Sequence, residues 1–233
     1  MLCWYNESMR MRKKGNLDTR IQECGDLLLA TEGKFTNVME FIKDKEYIDY
    51  KQVFGNDNPV CLDVGCGLGG FAIEFAKQNP NINLIALEMF SNVIIGAIDK
   101  AAKENLTNLR FLNIRCECLE KCIRDGSIDK IYLNFSNPLH NKSDEKQRLT
   151  NQRFLKIYSK LLKDDGIIIQ KTDDRPFFEY SLQSYKDNGF VILDECWDLA
   201  ALNDKENIIT EHEQKYMKEG KTIYRVKVKY LPN

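Results

Sequence analysis

The chain has 233 residues, 43% hydrophobic and 30% charged, which are the proportions of one ordinary globular domain. No run of 18 apolar residues and no secretory leader pattern occurs, so no membrane-spanning helix is expected and a soluble cytoplasmic protein is. The net charge of −1 conceals segregation: residues 1–20 carry five basic and two acidic groups, residues 141–163 seven and two, and residues 214–233 six and one. Three basic segments on an acidic remainder suggest a face that meets a polyanion.

Residues 1–16 read as a basic N-terminal arm, with Arg10, Arg12, Lys13 and Lys14 close together, and residues 17–233 as a single domain. Residues 17–54 alternate helical signals (Ile21, Leu27 to Leu29, Phe35, Val38, Phe41, Ile42) with polar breaks and are expected to form a helical preface. Val60 to Phe71, V-C-L-D-V-G-C-G-L-G-G-F, combines an apolar strand, three spaced glycines and the start of a helix running to Gln78. Asn83 to Leu87 is the next strand, and it ends in Glu88, 19 residues after Gly69. An acid at that place is suited to accepting both hydroxyls of a ribose. Ser91 is expected to cap a helix through Ala101. Leu109 to Ile114 and Ile128 to Phe135 follow as strands, then a polar loop and a helix from Gln152 to Leu162. Ile167 to Lys171 is a strand with Thr172, Asp173 and Asp174 at its end, and Phe177 to Lys186 is helical. Phe190 to Trp197 and Ile223 to Tyr230 are expected to close the sheet as an antiparallel hairpin.

This alternation predicts an α/β fold of Rossmann-like type: a mainly parallel sheet, helices on both faces, and ligands outside the carboxyl ends of the strands. That rule gathers Asp63 to Gly69, Glu88, the residues after Ile114, Ser136 to Asn141 and Asp173 around one crevice, with the 200–222 connection long enough to fold over it. Gly65, Gly67 and Gly69 permit positive φ and close ligand approach. Asp63 would repel the pyrophosphate of a dinucleotide. It suits the cationic amino-acid end of S-adenosylmethionine, so a methyl donor is preferred as cofactor over NAD. The eight cysteines read as reduced thiols. Cys116, Cys118 and Cys122 have neither His140 nor His212 nearby in sequence and fit no common zinc spacing, so no metal is expected.

With D-K-I-Y-L-N-F-S at 129–136 the chain resembles the bacterial tRNA (guanine-N7)-methyltransferases that modify a variable-loop guanosine. The resemblance also includes M-R-M-R-K-K-x-N-L at 9–17, D-V-G-C-G-L-G-G-F at 63–71, I-A-L-E at 85–88, and R-L-T and R-F-L within 148–155. It continues through K-T-D-D-R at 171–175, E-N-I-I-T-E-H-E at 206–213 and I-Y-R at 223–225. It implies an S-adenosylmethionine-dependent enzyme with tRNA as partner and no membrane, acting as monomer or homodimer. It implies donor contacts at Asp63, Gly65, Gly67, Gly69 and Glu88, and guanosine-side contacts at Asp173, Thr210 and Glu213.

The chain departs from the family after Phe135. Where the family has S-D-P-W-P-K-K-R-H, this sequence has S-N-P-L-H-N-K-S-D. The catalytic acid is replaced by Asn137, also a donor-side position, the tryptophan by Leu139, the first lysine by Asn141 and the histidine by Asp144. Arg115 stands where an acid would face the adenosine. Three readings follow: a tRNA (guanine-N7)-methyltransferase of reduced activity; a relative that binds the donor or RNA without turnover; and, from the partial N-P-P-Y match at Asn137-Pro138, an exocyclic amino-methyltransferase lacking its aromatic partner.

Overall fold

The computed structural model describes residues 16–31, 47–202 and 204–231. The basic arm at 10–14 and the positions Phe35, Val38, Phe41 and Ile42 lie outside them. The strands are β1 (Leu28–Thr31), β2 (Val60–Val64), β3 (Asn83–Leu87), β4 (Leu109–Asn113), β5 (Ile128–Asn134), β6 (Leu162–Thr172), β7 (Phe190–Cys196) and β8 (Tyr224–Tyr230). They form one sheet in the order β1-β4-β3-β2-β5-β6-β8-β7. The pairings from β1 through β6 are parallel, and β8 runs antiparallel between β6 and β7. Strand order reverses at β2, between β3 and β5, which places the ligand crevice at the carboxyl ends of these three strands.

The helices are α1 (Leu17–Glu23), α2 (Tyr50–Phe54), α3 (Gly70–Gln78), α4 (Ser91–Ala101), α5 (Leu119–Cys122), α6 (Gln152–Leu161), α7 (Arg175–Asp187), α8 (Leu199–Leu202) and α9 (Glu211–Lys218). Alternation along the strands divides the core between the two faces. Val60, Leu62, Ile85, Leu112, Ile131 and Val226 meet Phe154, Tyr158, Phe178 and Tyr185 of α6 and α7. Cys61, Leu84, Ala86, Phe111 and Tyr132 meet Phe71, Phe75, Ile94 and Ile98 of α3 and α4. Asp63, two residues from Cys61, shares this second face and is therefore buried.

Four expectations are corrected. Leu28 to Thr31 is a strand at the sheet edge, paired with β4, because its apolar run is too short for a helix and finds an open parallel neighbour. Ser91 is the first helical residue and not the cap: its hydroxyl donates to Asn113 Oδ1 at 2.6 Å. Strand β6 begins at Leu162, directly after α6, so Gly166 lies within it, where a Cβ would come within 3.0 Å of the Ile128 and Lys163 carbonyl oxygens. The C-terminal pair is antiparallel as expected, but its connection contains α8 and α9 and inserts β8 between β6 and β7.

Candidate active site

The crevice expected to take the donor starts at the turn after β2. Gly65, Gly67 and Gly69 have φ of 81°, 54° and 77°. Gly65 and Cys66 both donate their N–H to Leu87 O, at 2.8 and 2.9 Å, which ties the turn to the end of β3. At Gly69 a second constraint applies, since a Cβ there would stand 2.8 Å from Ala97 Cβ on α4. Glu88 is buried, and both its oxygens are held by backbone: Oε2 accepts from Gly67 N–H at 3.3 Å and Oε1 from Phe90 N–H at 2.9 Å. Burial raises its carboxyl above the usual range against these bonds.

Asp63 is 1% exposed. Its Oδ1 accepts from Asn134 Nδ2 at 3.4 Å, while Oδ2 is buried without a hydrogen-bond partner. Burial pushes its carboxyl up to about 7, against the favourable influence of Asn134 and Lys171. A buried carboxylate with an unused oxygen is costly unless a cation completes it, and the ammonium of an amino-acid donor supplies one. The residues present therefore fit S-adenosylmethionine. A cavity of about 370 Å³ is lined by Phe71, Tyr132, Asn134, Lys171, Asn207 and Arg225 among others; neither Asp63, the glycine turn nor Glu88 lines it, so it is distinct from the donor crevice.

The loop after β5 is braced internally. Phe135 and Leu139 have φ of 51° and 49°, a region that bulky residues rarely occupy. The exposed Asn137 accepts from Leu139 N–H through Oδ1 at 3.2 Å. Arg148 Nε donates to Pro138 O at 2.9 Å, and its guanidinium lies 4.2 Å from the Tyr180 ring centroid. His140 Nε2 is 3.0 Å from Asp174 Oδ2, while Asp174 Oδ1 caps α7 by accepting from Phe177 N–H. Asn141 Nδ2 donates to Asp144 Oδ2 at 3.1 Å. The loop also reaches the donor turn, since a Cβ on Gly65 would lie 3.6 Å from Leu149.

Of the residues expected to face the guanosine, Asp173 meets Lys221 Nζ through Oδ2 at 3.0 Å. Thr210 is the cap of α9, its Oγ1 accepting from Glu213 N–H at 3.0 Å. Glu213 is fully engaged inside the protein: Oε2 accepts from Lys171 Nζ at 2.7 Å and Oε1 from Asn207 Nδ2 at 2.5 Å. Thr210 and Glu213 thus hold the 204–213 segment onto the sheet. Arg225, the cross-strand neighbour of Lys171, holds the same segment at its other end through Asp204 and also pairs with Asp194 at 2.8 Å. Lys171, Asn207 and Arg225 lie within the K-T-D-D-R, E-N-I-I-T-E-H-E and I-Y-R motifs, but only the fold shows that those three motifs meet.

Arg115 is exposed, two residues beyond the end of β4. Asn113, which ends that strand, donates from Nδ2 to Glu88 O at 2.8 Å. Cys116, Cys118 and Cys122 are buried thiols. Among the described residues no group of three or more His, Cys, Asp or Glu side chains could hold a metal ion. Among these residues, too, no helix is long and apolar enough to cross a membrane. The basic segments present less free charge than the sequence suggests, because Arg153, Lys160 and Lys163 pair with Glu117, Glu120 and Asp129.

A reversal of strand order at β2, with β8 slotted antiparallel beside β6 and an acid where a dinucleotide site would cradle phosphate, defines an S-adenosylmethionine-dependent methyltransferase of Rossmann-like fold. A family described as putative methyltransferase matches residues 57–226. The fold is similar to that of the 16S rRNA methyltransferase KamB, at 17% identity with a TM-score of 0.59, covering 80% of this chain and 95% of that one. A tRNA (guanine-N(7)-)-methyltransferase of Geobacillus sp. is 44% identical over 183 residues, 78% of this chain and 83% of the relative. One of Bacillus licheniformis is 39% identical over 222 residues, 95% of this chain and 99% of the relative. The chain belongs to the tRNA (guanine-N7)-methyltransferase family.

Proposed function

We propose that this protein transfers a methyl group from S-adenosylmethionine to N7 of the variable-loop guanosine at position 46 of tRNA. The observation that carries the reading is the buried, half-satisfied Asp63 carboxylate beside the glycine turn, in a chain of this family. Asp63 takes the donor's ammonium, Glu88 its ribose, and the turn at Gly65, Gly67 and Gly69 lets the ligand approach the backbone. Arg115 stands on the adenine side. Asp173 faces the guanosine, Thr210 and Glu213 serve that side by anchoring the segment they belong to, and Asn141 lies beside the RNA backbone.

The bound donor supplies an electrophilic methyl group on a sulfonium. Guanine N7 has a free lone pair and no proton, so the site needs no general base. What the chain must provide is alignment of the base and stabilisation of the positive charge that develops on the purine. Asn137 offers an amide for the second task, where a carboxylate would do more. The braced loop from Phe135 to Arg148 keeps that amide in place.

The test is incubation with unmodified tRNA and labelled donor, followed by mapping of the product. Label at N7 of the variable-loop guanosine is the expected result. Retained donor binding without transfer would overturn the reading in favour of a donor-binding relative.

A further inference from the structure

Three aromatic rings meet just beyond the carboxyl end of β5. Phe135 follows directly on β5, and His212 and Tyr216 lie one turn apart on α9. Ring centroids are 6.2 Å apart for Phe135 and His212, with planes 21° from parallel, 5.9 Å for Phe135 and Tyr216, and 6.1 Å for His212 and Tyr216. His212 is exposed and the other two are half-buried, so all three rings keep some access to solvent. Phe135 holds its ring there at a φ of 51°, an unfavourable conformation for a bulky residue. Its N–H donates to Lys171 O at 2.8 Å, which fixes the backbone in that state.

Two further facts connect the rings to a purine. Lys221 Nζ lies 4.1 Å from the Tyr216 centroid and 3.0 Å from Asp173 Oδ2, so the rings adjoin a carboxylate able to accept from the N–H groups on a guanine edge. Residues 136–147, S-N-P-L-H-N-K-S-D-E-K-Q, contain no aromatic side chain except His140, and that imidazole is turned to Asp174. A base brought to Asn137 therefore finds no six-membered ring on the loop itself. The neighbouring rings come from α9 and from Phe135.

We propose that Phe135, His212 and Tyr216 form the platform on which the target guanine stacks, taking the place of a ring on the 136–147 loop. This rests on the tRNA reading above and names its base-binding surface. Stacking tolerates any flat ring, so the platform orients the purine plane while Asp173 selects guanine by its edge. The strap from Asp204 to Glu213, pinned by Lys171 and Arg225, carries His212 and sets its height over the crevice.

The experiment compares the full-length protein with His212→Ala, His212→Gln, His212→Phe and Tyr216→Ala, measuring donor affinity, kcat and KM for tRNA. Removal of the His212 or Tyr216 ring should lower kcat/KM for tRNA roughly 5- to 100-fold with donor affinity unchanged. His212→Phe should stay near wild type, and His212→Gln, which keeps polarity and loses the ring, should behave like the alanine variant. In parallel, tRNA carrying 6-thioguanosine at the target position is irradiated on the wild-type protein. The crosslink should map to peptides containing Phe135, His212 or Tyr216. A wild type that methylates tRNA while both alanine variants match it, or a crosslink that maps to residues 137–147, overturns the platform alone. A wild type that transfers no methyl group to tRNA overturns the tRNA reading instead; with that result, absence of the crosslink overturns the platform as well.

Discussion

Lys171 and Glu213 form an ion pair of 2.7 Å between Nζ and Oε2, with side chains only 4% and 2% exposed. Lys171 also donates to Ile208 O at 2.9 Å and Asn207 Oδ1 at 3.1 Å, so all three ammonium protons are placed. Burial pulls the ammonium below its ordinary range, and Glu213 works against that. A pair this dry contributes little by Coulomb attraction after desolvation. Its consequence is that neither member can be lost alone.

Removal of one partner is therefore expected to be far worse than removal of both. Lys171→Met or Glu213→Leu should each destabilise the fold by about 3–5 kcal/mol, since each leaves a buried charge uncompensated. The double variant should recover most of the loss. Urea unfolding of the two single variants and the double would check this; additive losses would show that the pair is not coupled.

Asp63 predicts a pH dependence with a definite sign. Its folded-state value of about 7 lies above the ordinary 3.8, so without donor its contribution to stability is complete below about pH 4 and is lost as pH rises through 7. Donor binding runs the other way, because the ammonium needs the ionised carboxylate. Affinity should rise about tenfold per pH unit up to about 7, then level off and fall as the donor's own amine titrates near 8. Calorimetry from pH 5.5 to 8.5 reads this directly, and Asp63→Asn should abolish the acid limb. An unchanged limb in that variant would remove Asp63 from the site.

Gly69 and Gly67 separate two effects of a Cβ in the donor turn. Gly69→Ala meets both a φ of 77° and Ala97 Cβ at 2.8 Å, and should cost about 2–4 kcal/mol and displace the turn. Gly67→Ala meets only the backbone term, because nothing lies within 4 Å, and should cost about 1–2 kcal/mol. Combining Gly69→Ala with Ala97→Gly should restore part of the loss. Thermal unfolding of the three variants is sufficient, and a Gly69 cost no greater than that of Gly67 would contradict the steric account.

The altered loop should be repairable in place. Asn137→Asp keeps an oxygen for the Leu139 N–H while adding a charge where the purine becomes positive, so kcat at saturating tRNA should rise, by as much as about 10²-fold. Changing Arg115 to Asp in the same chain should enlarge that gain. Asn141→Lys replaces the amide now donating to Asp144 and should mainly lower the tRNA concentration required. If none of these variants methylates N7 faster than the starting protein, the loop is not the rate-setting element.

Local chemistry made much of this protein legible in one dimension. The periodicities of Val60 to Gln78 and Asn83 to Leu87, the spaced glycines and Glu88 determined the parallel core and the donor crevice, because strand alternation, positive φ and the rule of carboxyl-end binding act over a few residues. The edge strand at Leu28 to Thr31 escaped that reading, since four residues acquire strand character only by pairing with β4. The convergence of Lys171, Glu213 and Arg225 escaped it as well, as did the meeting of Phe135 with His212 and Tyr216. Their partners lie tens of residues apart, and no period or spacing encodes such contacts. They arise when β8 enters the sheet between β6 and β7 and the segment before it must neutralise two adjacent cations on the sheet face. Composition likewise counted the basic residues correctly, but only tertiary contact decided which of those charges, such as Arg153, Lys160 and Lys163, were spent on acids of the same body.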